Sequence, residues 1–397
     1  TWNNKKLGLA AQYLQYLGTD KFSSAEISKE FYKLACSFNV NAGTEFTTIS
    51  ITGLQENFDK AVKLFDDLIA NCKSDDEALK KLIARTQKNR NDAKANKGTI
   101  MSGLQSYALY GSKNPFNYVL SNDEFNAITS DDLVSILHGL MNYKHDVIYY
   151  GPQPIINFVA AESKLHKIPA AFKPNPEKIE YKMQQQNHNE ILFADYDMVQ
   201  AEIRWVHTAD MYNAADVPVV SLFNNYFGAG GMGGIVFQTI REAKALAYEV
   251  YAVYNQPSKK ENPYVFIGYV GSQADKIHES IKSMNELIAD LPKNDKLLED
   301  SKNAIHKDIE TERIIDEGVI FNYLNLQRLG IDYDIRKNTY EKVNSLTYED
   351  VKNFAKKEIA DKPNTYCIVA SEKKVNVDEL KQYGEVKKVS LEEIFGY

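Results

Sequence analysis

Cysteine is scarce in this chain of 397 residues. Only Cys36, Cys72 and Cys367 are present, and no two have C-x-x-C spacing. That excludes a zinc knuckle and a dithiol redox motif, and leaves three small buried side chains as the expected role. Histidine is also thin: His138, His145, His166, His188, His207, His278 and His306. No two of them stand three or four apart, so no helix face can present a histidine pair to a metal. No metal is expected in this chain. His207 reads as a satisfied strand histidine, His138 as a helix-surface residue and His145 as a loop residue. No apolar run approaches the ~18 residues that would span a bilayer. A basic surplus is missing too: the net charge is −7 and the pI about 5.7, which argues against nucleic acid as a partner. No signal-peptide pattern opens the chain. "TWNNKKLGLAAQYLQYLG" enters a helical pattern at once, with no leading strand, so the sequence reads as cut from something longer. The closing "VSLEEIFGY" reads as a natural C-terminus.

The residues that are present describe a globular protein: 44% hydrophobic and 25% charged, long enough for two domains. An internal repeat divides them. "AITSDDLVSILHGL" and "SLTYEDVKNFAKKE" share a Thr, a polar residue, an acid and an Asp before an aliphatic. Thr129 and Thr347, 218 residues apart, are predicted helix N-caps, with Asp132 and Asp350 completing capping boxes. "TTISITGLQ" and "VFIGYVGSQ" end at Gln55 and Gln273, again 218 apart, and each feeds an amphipathic helix. The spacing predicts one helical face for Phe58, Val62, Phe65, Leu68 and Ile69. The closing pairs Leu68-Ile69 and Leu287-Ile288 lie 219 apart. After the capped helices come "DVIYYG" and "TYCIVAS", both read as strands.

Three matched blocks at nearly one spacing predict two tandem homologous α+β domains. Each would be an antiparallel-rich sheet with helices packed on one face. The expected boundaries are 1–161 and 191–397. Residues 162–190, carrying Pro169, Pro174 and Pro176, would form the linker. "ILFADYDMVQAEIRWVHTA" is read as a pair of strands, and "PSKKENP" as a hairpin connection.

Glycine is concentrated where the rest of the chain is sparing of it. "GAGGMGGIVFQTIREAKALAY" places Gly228, Gly230, Gly231, Gly233 and Gly234 within seven residues, of 20 glycines in all. The pattern fits neither the P-loop nor the dinucleotide fingerprint. If Ile235–Leu246 is an α-helix, Arg241 and Tyr248 lie about two turns apart and share one face. Tyr248 would then fall just past the helix end, with Tyr251 and Tyr254 close enough to line the same cavity. An isolated Arg and Tyr at this spacing are more often a surface and a half-buried residue.

"FGAGGMGGIVFQTIREAKALAYEVYA" resembles the insulinase-like (pitrilysin-type) zinc peptidase family, whose members show "f..lRe..gLaY.v" after a glycine loop. Arg241 and Tyr248 match its Arg/Tyr pair. "TISITGLQENFDKAVKLFDDLI" and "ITSDDLVSIL" resemble parts of its repeated domain. The resemblance implies that the chain is the C-terminal, zinc-free half of a zinc metalloendopeptidase. It would face a zinc-bearing half, in the same polypeptide or in a separate subunit, across a peptide substrate. Tyr248 would stabilise the tetrahedral transition state, Arg241 would anchor substrate, and the five loop glycines would bind it. Active members carry His-x-x-Glu-His on a helix. Aligned on Gly18-Thr19, those positions here are Gln12, Tyr13, Leu14, Gln15 and Tyr16. No carboxylate lies between Glu77 and Asp92, where a distal ligand would fall. Alone, the chain is expected to be inactive. Relatives in bacteria are often secreted to the envelope, which implies the periplasm. The alternative reading is a non-catalytic structural, assembly or peptide-binding subunit of the same fold.

Overall fold

The structure is a computed structural model that describes residues 3–166, 169–228 and 233–397. It is α+β and falls into two compact units. One holds Thr1–Ala95, Tyr118–Tyr181 and Gly396–Tyr397; the other holds Asn96–Asn117 and Lys182–Phe395. Both are discontinuous in sequence. The break at 95–96 follows from local chemistry. A long polar helix, Asp76–Lys94, ends at Ala95, and the Asn96 side chain then caps Lys97–Tyr110 by accepting from Thr99 N.

The first unit has one two-stranded antiparallel sheet, β1 (Cys36–Ala42) and β2 (Thr47–Gly53). The helix Phe58–Asn71 packs Ala61, Phe65, Leu68 and Ile69 into the core with this ribbon and also buries Val62, while Phe58, expected on the same face, is only partly buried and meets Tyr149 edge-on. Ser130–Gly139 carries the full capping box between Thr129 and Asp132. The segment "DVIYYG" is not a strand. Its neighbourhood contributes only an isolated bridge between Tyr143 and Lys173. Val147, Ile148 and Tyr150 are exposed, so no neighbouring strand rewards extended pairing there.

The second unit carries a six-stranded sheet in the order β5-β6-β4-β7-β3-β8. The strands are β3 (Glu190–Asp195), β4 (Gln200–Met211), β5 (Ala247–Asn255), β6 (Pro263–Gln273), β7 (Thr365–Ala370) and β8 (Glu385–Lys388). β3 runs parallel to β7 and β8; the other pairings are antiparallel. β3 and β4 are both strands, as read, but β7 lies between them. The β5–β6 hairpin closes through "PSKKENP". Thr347 and Asp350 form the second capping box.

The main core packs on the face that presents Ile203, Trp205, Val250, Ala252, Tyr254, Phe266 and Ile368. The helix Lys97–Tyr110 covers the opposite face of β3, β4 and β7. Hence β7 is buried at every residue, whereas β5 alternates buried and accessible positions. β6 is likewise buried from Tyr264 to Ser272, so the accessible positions lie on β5 and at Gln273, the last residue of β6. Among the described residues, no helix is long and apolar enough to cross a membrane.

All three cysteines are free and buried. Burial pushes the Cys72 thiol up to about 11, so it is protonated and inert near neutral pH.

Candidate active site

The glycine loop begins from a helix, Val217–Phe223, that widens into a π-helix over Asn224–Gly228. Gly228 lies against β5. A Cβ there would sit 2.5 Å from both the N and the O of Ala252. The absent side chain therefore allows close packing of helix on strand. At Gly234 a Cβ would meet Phe227 O at 3.0 Å. Gly230 and Gly231 lie outside the described residues.

A second π-helix, Phe237–Ala243, follows and carries Arg241. The α-helix expected over Ile235–Leu246 is therefore corrected, and a repeat of 3.6 residues per turn does not relate Arg241 to Tyr248. Lys244 N bonds Thr239 O and Leu246 N bonds Ile240 O, both wider than the α repeat. Phe237 and Ile240 stay buried, which fixes the inward face. The Arg241 side chain is 45% exposed, with its guanidinium 4.9 Å from the Phe237 ring centroid and 4.0 Å from the Glu242 carboxylate.

The turn into β5 passes through Ala245 at φ 50°, the position where the family pattern has glycine. A Cβ in this left-handed region costs about 1–2 kcal/mol, more than the 0.5–1 kcal/mol that glycine adds in chain entropy. Ala245→Gly is expected to raise stability by about 0.5–1 kcal/mol in chemical denaturation. An unchanged or lower midpoint would show that the turn holds no such strain.

Tyr248 is the second residue of β5 and is 53% exposed. Its hydroxyl accepts a hydrogen bond from Gln273 Nε2 at 3.1 Å. Both line a shallow groove of about 630 Å³ with Lys97, Gln200, Asp275 and Lys374. The Lys97 ammonium donates to Gln200 Oε1 at 3.0 Å and pairs at 2.5 Å with the Glu202 carboxylate, whose side chain is 3% exposed. The buried carboxylate thus neutralises that cation and fixes it at the groove wall. Beneath them, Arg204 donates to Gln105 and to the Tyr251 hydroxyl, and Tyr251 stacks on Tyr269. Burial, then the Glu202 and Glu249 carboxylates, push the Tyr269 phenol far up, so it stays neutral.

The structure does not bring all the expected residues together. Arg241, Gly228, Gly233 and Gly234 are not among the groove-lining residues. Tyr254, expected near the cavity, is instead in the core and donates to buried Glu358 at 2.6 Å. Strand alternation explains it: residues 250, 252 and 254 face inward, whereas Tyr251 faces the open side. Gln273 was missed as a site residue. Its signal was available, because it closes a matched repeat block, but nothing in sequence shows which side chain it meets.

The first unit was tested for zinc. Gln12 and Gln15 are exposed, and Tyr13 is buried, with its hydroxyl donating to Asp75 O at 2.7 Å. Arg85, from the window where a distal carboxylate would fall, donates to Gln12 Oε1 at 3.3 Å and lies over the Tyr16 ring. Amide, phenol and a guanidinium do not fit Zn²⁺, because a fixed cation repels the metal and neither amide is a favoured ligand. Among the described residues, no group of three or more potential ligands gathers elsewhere.

Folding does bring two histidines together that sequence spacing kept apart. His145 Nε2 and His166 Nε2 are 2.9 Å apart. His145 Nδ1 faces Tyr143 O, and His166 Nδ1 faces Asp66 Oδ2 at 3.2 Å. The His166 ring thus lies between the Asp66 carboxylate and a second imidazole. The hydrogen bond to Asp66 raises the His166 pKa, burial opposes this, and the Asp66 and Glu162 charges add to the rise. A raised folded value gives stability that is full below about pH 6.5, the unfolded value, and is lost as pH rises through the folded value. Denaturation midpoints of the chain are expected to fall across that window. His166→Gln should flatten the fall, and an equally steep profile in the variant would refute the assignment.

The comparisons with known proteins bear on the family and the fold. Residues 4–119 match the family description Insulinase (Peptidase family M16), and residues 147–305 match Peptidase M16 inactive domain. The chain belongs to the insulinase-like (M16) peptidase family. The protein named uncharacterized zinc protease YmxG of Bacillus subtilis is 25% identical over 311 residues, 74% of this chain and 71% of that protein. A peptidase M16 inactive domain from Pseudomonas fluorescens superposes with a TM-score of 0.67 at 17% identity, covering 91% of this chain and 87% of that one. The periplasmic protease PqqL of Escherichia coli gives a TM-score of 0.66 at 12% identity, covering 92% of this chain but 41% of PqqL. These insulinase-like neighbours share the α+β fold built from two repeated domains.

Proposed function

We propose that this chain is the zinc-free half of an insulinase-like metallopeptidase. It would bind an extended peptide and stabilise the transition state opposite a zinc-bearing half. One observation carries the reading: Tyr248, 53% exposed, lines an open groove near the start of β5. The chain's own His-x-x-Glu-His positions hold no metal ligands suited to zinc. Zinc in the partner half supplies the Lewis acid.

Within this chain, Tyr248 Oη donates to the scissile carbonyl oxygen as negative charge builds there, acting as an oxyanion-hole donor. Arg241, 45% exposed and in contact with Phe237 and Glu242 of its own helix, anchors a substrate backbone carbonyl. Gly228, Gly230, Gly231, Gly233 and Gly234 give the loop between them the freedom to approach the peptide backbone. In this reading the duplicated domains run 1–161 and 191–397 with 162–190 between them. The match to under half of PqqL suits a partner half in the same polypeptide; the match to most of YmxG suits a separate subunit. The periplasm or cell envelope is the proposed compartment.

The test is complementation. The purified chain supplied with zinc should leave a fluorogenic peptide library uncut, and mixing with the His-x-x-Glu-His half from the same organism should restore cleavage. Cleavage by the chain alone, or the same cleavage by the zinc half without it, would overturn the proposal.

A further inference from the structure

The structure assigns Gln273 as the residue that keeps the Tyr248 proton available, an inference that rests on the catalytic reading of Tyr248. A phenol has one proton to donate and two lone pairs to accept with. Gln273 Nε2 donates to Tyr248 Oη at 3.1 Å, so the amide occupies a lone pair and leaves the proton unused. Donation to Oη also polarises the O–H bond and strengthens it as a donor. Among the described residues, Tyr248 donates to no other side chain or carbonyl. Gln273 is held for this task by its place at the end of β6, directly opposite Gln200 of β4, beside the Lys97–Glu202 pair.

The first unit shows the opposite arrangement at the matching repeat position. There Tyr149 Oη donates to Gln55 Oε1 at 2.6 Å, and Gln55 Nε2 is turned to Gln153 Oε1 at 3.1 Å. Tyr149 also accepts from Gln153 N at 3.1 Å. Its proton is committed inside the fold, and Tyr149 stacks on Phe158 as a packing residue. Two glutamines 218 residues apart thus each hold a tyrosine hydroxyl, one consuming its proton and one leaving it free. The difference lies in which end of the amide faces the phenol.

Gln273 is therefore a positioning residue acting through Tyr248, and the reversed amide is what its variants test. Gln273→Glu is nearly isosteric but only accepts, so Tyr248 would donate to it and lose the free proton. Gln273→Met keeps the volume and removes both functions. In the complex with the zinc half, Gln273→Met is expected to lower kcat about tenfold, the scale of one lost neutral hydrogen bond. Gln273→Glu should fall further, toward the Tyr248→Phe value, with KM nearly unchanged in both. On a Tyr248→Phe background, Gln273→Glu should add nothing. In the chain alone, the ¹³Cζ resonance of Tyr248 should move in both variants while the denaturation midpoint stays put. If Tyr248→Phe is costly but both Gln273 variants turn over like the parent, this inference is wrong and the catalytic reading stands. If Tyr248→Phe is silent, the catalytic reading itself fails. A resonance that does not move would exclude the hydrogen bond.

Discussion

Replacing Tyr248 by Phe in the complex with a zinc-bearing half is expected to lower kcat by about 10²–10³-fold, the usual cost of one oxyanion donor. KM should change little, because the hydroxyl contributes most when charge has built on the carbonyl oxygen. The fold gives a reason to expect a clean result. Tyr248 is 53% exposed and, among the described residues, its hydroxyl bonds Gln273 alone, so losing one oxygen leaves no buried group unpaired. Stability should stay within about 0.5 kcal/mol of the parent. Arg241→Ala should act differently, raising KM more than it lowers kcat, since that guanidinium binds substrate in both states. Steady-state kinetics on the two variants would separate the roles. Full turnover in Tyr248→Phe would leave the non-catalytic subunit as the better description.

The second large effect is on stability. Gly228→Ala is expected to destabilise the chain by about 3 kcal/mol, at the upper end of overpacking costs. The added methyl would lie 2.5 Å from the N and O of Ala252, backbone atoms in the middle of β5 that cannot rotate away. Either the π-helix Asn224–Gly228 or the strand must move, and the strand is paired along its length to β6. Gly233→Ala is the control, because among the described residues the nearest atom its Cβ would meet is Leu297 Cδ1 at 4.0 Å. Denaturant midpoints for the two variants should differ plainly. Equal midpoints would mean that Gly228 is retained for the loop's freedom and not for its packing.

Much of the molecule was legible before folding. The capping boxes at Thr129 and Thr347, the buried face of Phe58–Asn71 and the strands flanking Gln55 and Gln273 follow from nearest-neighbour chemistry. A hydroxyl reaches the amide three residues on, and apolar side chains repeat with the helix. That Gln12, Gln15 and Tyr16 stand at the zinc-motif positions is a reading of residue identity alone, and it belongs to the proposed function. What failed did so where a distant partner decides. "DVIYYG" has strand-like composition, yet no strand lies beside it to pair with. Tyr254 was placed in the cavity because it is near Tyr248 in sequence, while a bulge near Ala247 and strand alternation send it inward to Glu358.

The sequence by itself determined the family, the repeat and the identity of the groups that could act: an arginine, a tyrosine and a run of glycines ahead of them. Those are properties of residue type and spacing. Only the tertiary structure decided how the groups are presented. It turned the helix carrying Arg241 into a π-helix, set Gly228 against Ala252 and put Arg85 beside Gln12. It also brought His145 to His166 and laid Gln273 against the Tyr248 hydroxyl. Apart from the π-helix, whose bonds span five or six residues, each of these depends on atoms well apart in the chain meeting within a few ångströms. Hydrogen bonds and packing act at that range, so no local pattern encodes them.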